Sequence, residues 1–214
     1  AVTVVDQKME YFDTIKSLNL NLTYKVAQFT FNFNYDELLE KTDVLYHLIS
    51  TSVPTTSNQY IADELVSNVV VTTKILEACI RKKVKKIVFV SSGGTVYGKE
   101  IECPIREDAL TNPISSYGIQ KLTIEKLLYL YNYLYDLDYR IIRLANPYGP
   151  YQRPNGVLGV VTTFTYKAIR NEEILVYGDG TVVRDFIFID DAIRGILDIV
   201  AYEGKYKLFN LGYG

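Results

Sequence analysis

The stretch "SSYGIQKLTIEK", residues 115–126, sets Tyr117 and Lys121 four positions apart in what reads as the first turns of a helix. Positions i and i+4 are neighbours on a helix, with about 5 to 6 Å between Cβ atoms, so the ammonium is expected near the phenol. A free tyrosine titrates near about 10 and is a poor base at neutral pH; a positive charge beside it favours the phenolate and lowers that value. Such a group can take a proton from a hydroxyl while hydride leaves the same carbon, which is cofactor chemistry. Alone the pair is a weak signal, because a tyrosine-rich helix produces it by chance. Context strengthens it: upstream runs "VFVSSGGTVYG", in which Ser91, Ser92 and Thr95 supply hydroxyls while Gly93 and Gly94 let backbone approach a ligand closely. Strand ends of this kind are where open α/β sheets bind ligands.

Short β-branched runs alternate with longer helical patterns, the signature of βαβ units and a parallel sheet covered on both faces. Strands are expected at 2–6, 24–29, 43–49, 85–92 and 139–145, with helices at 35–41, 58–82 and 115–136. In the long helix Ile61, Leu65, Val69, Thr72, Leu76 and Cys79 form a core-facing stripe, and the closing "RKKVKK" complements the negative end of the helix dipole. After residue 145 the pattern changes to the Pro/Gly/Asn-rich "NPYGPYQRPNG", a helix near 157–171, the turn "YGDGT", a strand "RDFIFI" and a helix at 190–202. The expected fold class is α/β, a doubly wound Rossmann-type parallel sheet (1–145) followed by a smaller region (146–214), with a chain crossover.

The front of the chain raises a question. "VTVVD" reads as the second strand of a nucleotide fold, with Asp6 either the acid that takes the adenosine ribose hydroxyls or a surface turn acid. The Gly-x-Gly at Gly178 and Gly180 lies in a turn before a strand and is no phosphate fingerprint. The expectation is a chain that starts about 30 residues late, the length of a strand-turn-helix piece. A non-catalytic module that lost the pyrophosphate loop is the competing reading.

With 214 residues, 48% hydrophobic and 22% charged, the chain is long enough for one sizeable domain or one plus part of another. A net charge of -2 gives no broad attraction to nucleic acid or anionic lipid. Cys79 and Cys103 lack Cys-x-x-Cys spacing, and the single His47, read as a satisfied strand-end histidine, leaves few soft metal ligands, so no metal is expected. No run is long and apolar enough for a membrane span, and the expected setting is the cytoplasm.

The motifs "VFVSSGGTVYG", "SSYGIQK", "RLANPYGPYQRP" and "GDGTVVRDFIFIDD", in this order, resemble the extended short-chain dehydrogenase/reductase family, in its NAD-dependent epimerase/dehydratase branch of nucleotide-sugar epimerases. The resemblance runs from Asp6 onward and implies NAD as cofactor and a UDP-sugar as substrate. It implies Tyr117 as acid/base, with Lys121 lowering its pKa and bonding the nicotinamide ribose. The implied cofactor residues are Asp6, Asn32 in place of the adenine-contacting acid, the strand-end loop Leu48, Ile49, Ser50, Thr51 and Ser52, Asn68, Ser91 and Pro147. Asn146 and Arg184 are implied for the sugar nucleotide, Arg184 having Asp185 or Asp190 as alternative partners.

The sequence departs from the family where the usual catalytic hydroxyl falls on Gly93; Thr95 or Ser92 is expected to supply it, with Thr95 favoured. The acid pair that dehydratases carry falls on Gly94 and Thr95, which favours epimerisation between UDP-glucose and UDP-galactose through a 4-keto sugar, in a polysaccharide-biosynthesis setting. The family's dimers imply a homodimer through the two long helices, with Tyr129 and Tyr133 as contacts.

Overall fold

Strand pairing is parallel throughout the described residues, as helical crossovers between successive strands require. The computed structural model describes residues 1–18, 20–53, 57–99, 102–154, 159–176 and 178–214. In chain order the elements are β1 (Val2–Asp6), α1 (Asp13–Lys16), β2 (Leu22–Val26), α2 (Tyr35–Leu38), β3 (Val44–His47), α3 (Ile61–Glu64) and α4 (Val71–Lys82). Then come β4 (Lys86–Ser92), α5 (Ser116–Tyr135), β5 (Asp138–Leu144), β6 (Asn146–Tyr148), α6 (Val160–Ile169), β7 (Phe186–Phe188), α7 (Ile189–Ala201) and β8 (Leu208–Leu211). The central sheet runs β3-β4-β5-β8; β1-β2 and β6-β7 form separate two-stranded sheets. Ile87, Val88 and Phe89, successive residues of β4, are all fully buried, so both faces of the sheet are covered, the doubly wound arrangement expected.

Four features depart from the sequence reading. β6 was expected as loop because its three residues include Pro147 in a Pro/Gly-rich stretch; a proline is tolerated in so short a two-stranded sheet. β8 carries the chain back from the second region to pair with β5, so the sheet draws on residues beyond 146. The helix near 157–171 is described only from Val160, and residues 155–158 of "RPNGVLGVV" lie outside the described residues.

The long helix is the fourth. α3 and α4 are joined by a π-turn over Leu65–Val70. The wider turn shifts the phase of the apolar stripe. Thr72, Leu76 and Cys79 stay buried and are joined by Val71, Ile75 and Ala78, while Ile61 is 50% exposed. At its far end Lys83 adopts a left-handed conformation and Val84 N–H bonds the Cys79 carbonyl, while Arg81 pairs with Asp36.

α5 begins because Ser115, in extended conformation, accepts the N–H of Gly118 with its hydroxyl. Gly118 itself has a packing reason: a Cβ there would lie 2.6 Å from the Thr95 carbonyl oxygen. Its absence lets the "SSGGTVYG" loop press against the first turn of α5, beside Tyr117.

Candidate active site

One cavity of about 590 Å³ is lined by the C-terminal end of β1, the end of β3 with its following loop, the π-turn and the first turns of α5. Asp6 borders it from β1; Leu48, Ile49, Ser50 and Thr51 border it from the β3 loop; Asn68, Tyr117 and Lys121 border it from the helices. Strand pairing does not join β1 to β3, and the cavity lies between the two sheets' ends.

Lys121 is buried, and its ammonium donates to the Val90 carbonyl at 2.9 Å and lies over the rings of Phe89 (4.8 Å to the centroid) and Tyr117 (5.5 Å). Burial pulls its pKa down to about 8, against the opposing pull of Glu125. Here the expectation needs correcting: the ammonium faces the tyrosine ring, and burial raises the Tyr117 pKa. The i,i+4 spacing brings the side chains together, but the Val90 carbonyl turns the ammonium toward the sheet. His47, also on the cavity wall, bonds Thr72 Oγ1 through Nε2 at 2.9 Å and packs edge-on to Phe89, while its buried Nδ1 has no partner. Burial first, then the charge of Lys121, lowers its pKa to about 4.

Asn68 is held from four sides. Its Oδ1 accepts the N–H of Thr51 at 2.8 Å, and its Nδ2 donates to Ser52 Oγ, the Glu64 carbonyl and Gln120 Oε1. The hydroxyl of Thr95 is buried without a partner. Ser92 ends β4 half-buried in the same loop segment.

Several expected residues stand elsewhere. Asn32 is exposed in a turn, and the cavity wall on its side is Phe29. Ser52 is buried and its hydroxyl is committed to Gln120 Oε1. Ser91 turns to the other side of α5, donating to Glu125 Oε1 at 2.5 Å. Pro147, Asn146 and Arg184 do not line the cavity. The Asn146 amide donates to the Asp185 carbonyl, and exposed Arg184 donates to the Val183 carbonyl in place of an ion pair with Asp185 or Asp190. Sequence reasoning placed Thr51 within the strand-end loop but missed Ser67, His47 and Gln120 as lining residues. Only Gln120 carried a signal, a polar residue on the buried side of the helix between Tyr117 and Lys121.

The residues present fit a dinucleotide. An acid at a strand end, a loop carrying the hydroxyls of Ser50 and Thr51, a half-buried tyrosine and a buried lysine line one cavity, with the orphaned His47 Nδ1 on its wall.

Comparison with known proteins defines the class. The sequence profile of the NAD dependent epimerase/dehydratase family matches residues 2–212, and the chain belongs to that family. It is 38% identical over 175 residues to the UDP-glucose 4-epimerase of Mycolicibacterium smegmatis, covering 81% of this chain and 56% of that protein. The chain spans about half the length of the curated relatives it matches. Among solved structures, UDP-glucose 4-epimerase from Thermotoga maritima with UDP-glucose superposes with a TM-score of 0.86 at 32% identity, over 99% of this chain and 69% of that one. UDP-glucuronic acid 4-epimerase from Bacillus cereus, in complex with UDP-glucuronic acid and NAD, does so with 0.85 at 30%, over 99% and 69%. No helix among the described residues is long and apolar enough to cross a membrane.

Proposed function

We propose that this chain forms the core of a cytoplasmic, NAD-dependent nucleotide-sugar 4-epimerase, with UDP-glucose and UDP-galactose as the substrate pair. The observation that carries the reading is the placement of Asp6 and the Tyr117–Lys121 pair on the walls of one cavity. In this reading residues 1–145 make the cofactor domain and 146–214 part of the substrate domain.

Bound NAD would accept hydride from C4 of the sugar and return it to the opposite face. Asp6 would hold the adenosine ribose hydroxyls, and the 48–51 loop with Asn68 would flank the dinucleotide. Tyr117 would take the C4 hydroxyl proton and later restore it. Burial keeps its phenol protonated, so favouring the phenolate falls to positive charge near the ring, of which the Lys121 ammonium is the part this chain supplies. Thr95, whose buried hydroxyl lacks a partner, would hold the substrate hydroxyl in the role that Gly93 cannot fill. Gly93 is itself packed: its N–H bonds the Leu144 carbonyl at 2.8 Å, and a Cβ would lie 3.1 Å from the Arg143 carbonyl oxygen. Gly94 and Thr95, where dehydratases carry an acid pair, give elimination no proton shuttle. On the outer face of α5, Tyr129 and Tyr133 are 62% and 76% exposed, which supports a homodimer through this helix and removes burial inside the monomer as their explanation.

One relative favours a second reading. The dTDP-4-dehydro-6-deoxyglucose reductase of Escherichia coli is 31% identical over 96% of this chain. A reductase consumes reduced cofactor in proportion to product, whereas an epimerase does not. The test uses full-length protein: denaturation should release NAD, UDP-glucose and UDP-galactose should interconvert without net cofactor consumption, and Tyr117→Phe should lower kcat about 100-fold or more. Stoichiometric NADH oxidation would favour the reductase, and absence of both bound NAD and turnover with added NAD would refute the enzyme reading.

A further inference from the structure

Gln120 lies between the two residues of the catalytic pair, three positions after Tyr117 and one before Lys121, and is 2% exposed. A primary amide offers two N–H donors and one oxygen with two lone pairs, and all four are engaged. Oε1 accepts from Asn68 Nδ2 at 2.8 Å and Ser52 Oγ at 3.1 Å. Nε2 donates to Glu64 Oε2 at 2.9 Å and Ser116 Oγ at 2.8 Å, and Ser116 Oγ in turn donates to Glu64 Oε2 at 3.1 Å.

The direction of this chain of bonds is fixed at both ends. The N–H of Thr51 can only donate, so Asn68 must present Oδ1 to it and its NH₂ to Gln120. The Glu64 carboxylate can only accept, so Gln120 must turn its own NH₂ toward it. Reversing the Gln120 amide would set its oxygen against the carboxylate and its NH₂ against the Asn68 NH₂. The three segments joined in this way, the loop after β3, the π-turn and α5, are the ones that line the cavity around Tyr117 and Lys121. Asn68 Nδ2 also donates to the Glu64 carbonyl at 3.1 Å, which ties the residue just before the π-turn into the same network.

We propose that Gln120 is a positioning residue: through Asn68 and Glu64 it sets the distance between the 48–51 loop and the Tyr117–Lys121 face, and so aligns the cofactor wall with the catalytic phenol. The consequence for catalysis rests on the epimerase reading; the mechanical part does not.

The test uses the full-length protein with Gln120→Leu, Gln120→Glu, and Gln120→Glu combined with Glu64→Gln. Leucine keeps the volume and removes every bond. Glutamate keeps acceptance from Asn68 and Ser52 but faces the Glu64 carboxylate, and the swap supplies a donor from position 64 in its place. Both single variants are expected to weaken NADH binding, read by fluorescence titration, about tenfold and to lower kcat about tenfold with the KM for the sugar nucleotide unchanged, the swap recovering both to within about twofold. The Thr51 amide should exchange with solvent faster in Gln120→Leu and return to the parental rate in the swap, a reading that needs neither cofactor nor turnover.

Unchanged NADH affinity, kcat and Thr51 exchange in Gln120→Leu, or a swap no better than Gln120→Glu alone, would overturn the proposal. Should the parent protein fail to epimerise UDP-sugars, the function reading falls, while cofactor titration and amide exchange still decide the role of Gln120.

Discussion

On the α5 side of the cavity, Asn68 and Gln120 are joined across 52 residues of sequence and every polar atom of both amides is engaged, whereas on the β1 side Asp6 accepts the N–H of its own neighbour, Gln7, at 2.7 Å. Among the described residues its carboxylate has no other hydrogen bond. Behind the first side stand fully buried side chains such as Leu76, Phe89 and Leu128; β1 pairs only with β2 in a two-stranded sheet. One wall is thus fixed before any ligand arrives, and the other keeps acceptor capacity that a ligand can use. Pre-organised polar groups belong where protons move, and unspent acceptors belong where a ligand is merely held. Under the proposed function, the difference fits chemistry on α5 and binding on β1.

The sharpest way to break this comparison is to unpair the charges behind α5. Glu125 and Arg143, each 3% exposed, form a two-pronged ion pair, with Nη2 to Oε2 at 2.6 Å and Nε to Oε1 at 3.1 Å. The guanidinium also lies 4.7 Å from the Tyr97 ring centroid. Arg143→Met leaves a buried carboxylate with Ser91 as its remaining donor and should cost about 3 to 5 kcal/mol in denaturant unfolding of the full-length protein. Adding Glu125→Leu should recover much of that loss, because the cost lies in the unpaired charge. If Arg143→Met were as stable as the parent, the α5 side would not be the rigid one.

The next effect depends on pH. The folded-state pKa of His47, about 4, lies below its ordinary 6.5 because the ring is buried and lies near the charge of Lys121. As pH falls through 6.5 the unfolded chain takes up the proton first, so stability present above pH 6.5 is lost progressively down to about pH 4. The loss amounts to about 3 kcal/mol by the usual linkage of pKa to stability. Comparing unfolding of the parent and His47→Gln at pH 7 and pH 5 isolates it: the parent should lose more stability than the variant. Equal losses would show that the ring is solvated, and the buried character of this wall would have to be given up.

The contrast also explains what the sequence could tell. β1 over Val2–Asp6 was legible to the residue, and Tyr117, Lys121, Asn68 and Asp6 were all placed in one site, because strand alternation, i,i+4 spacing and strand-end position are local properties. Ser52 and Ser91 were misplaced for a long-range reason. A serine near a strand end reads the same whether its hydroxyl faces a ligand or a partner far away in the chain, and here the partners are Gln120 and Glu125, 68 and 34 residues on. The π-turn was equally hidden: the weak helix formers of Leu65–Val70 do not tell a π-turn from an α-helix, and the bond from Asn68 to Gln120 spans 52 residues of sequence. β8 was missed because its edge position beside β5 depends on a return from a different region.

The smallest effect belongs to the open wall. Asp6→Asn removes a charge whose only bond among the described residues is to an adjacent N–H, so folding stability should shift by less than about 0.5 kcal/mol. Cofactor affinity should suffer more, since a hydrogen bond to a charged acceptor is worth about 1.5 kcal/mol or more, roughly tenfold in NADH binding by fluorescence titration. At saturating cofactor kcat should stay at the parental value, because nothing on the α5 side has moved. A fall in kcat that excess cofactor cannot restore would mean that Asp6 also sets the alignment at Tyr117, and the division of labour between the two walls would be lost.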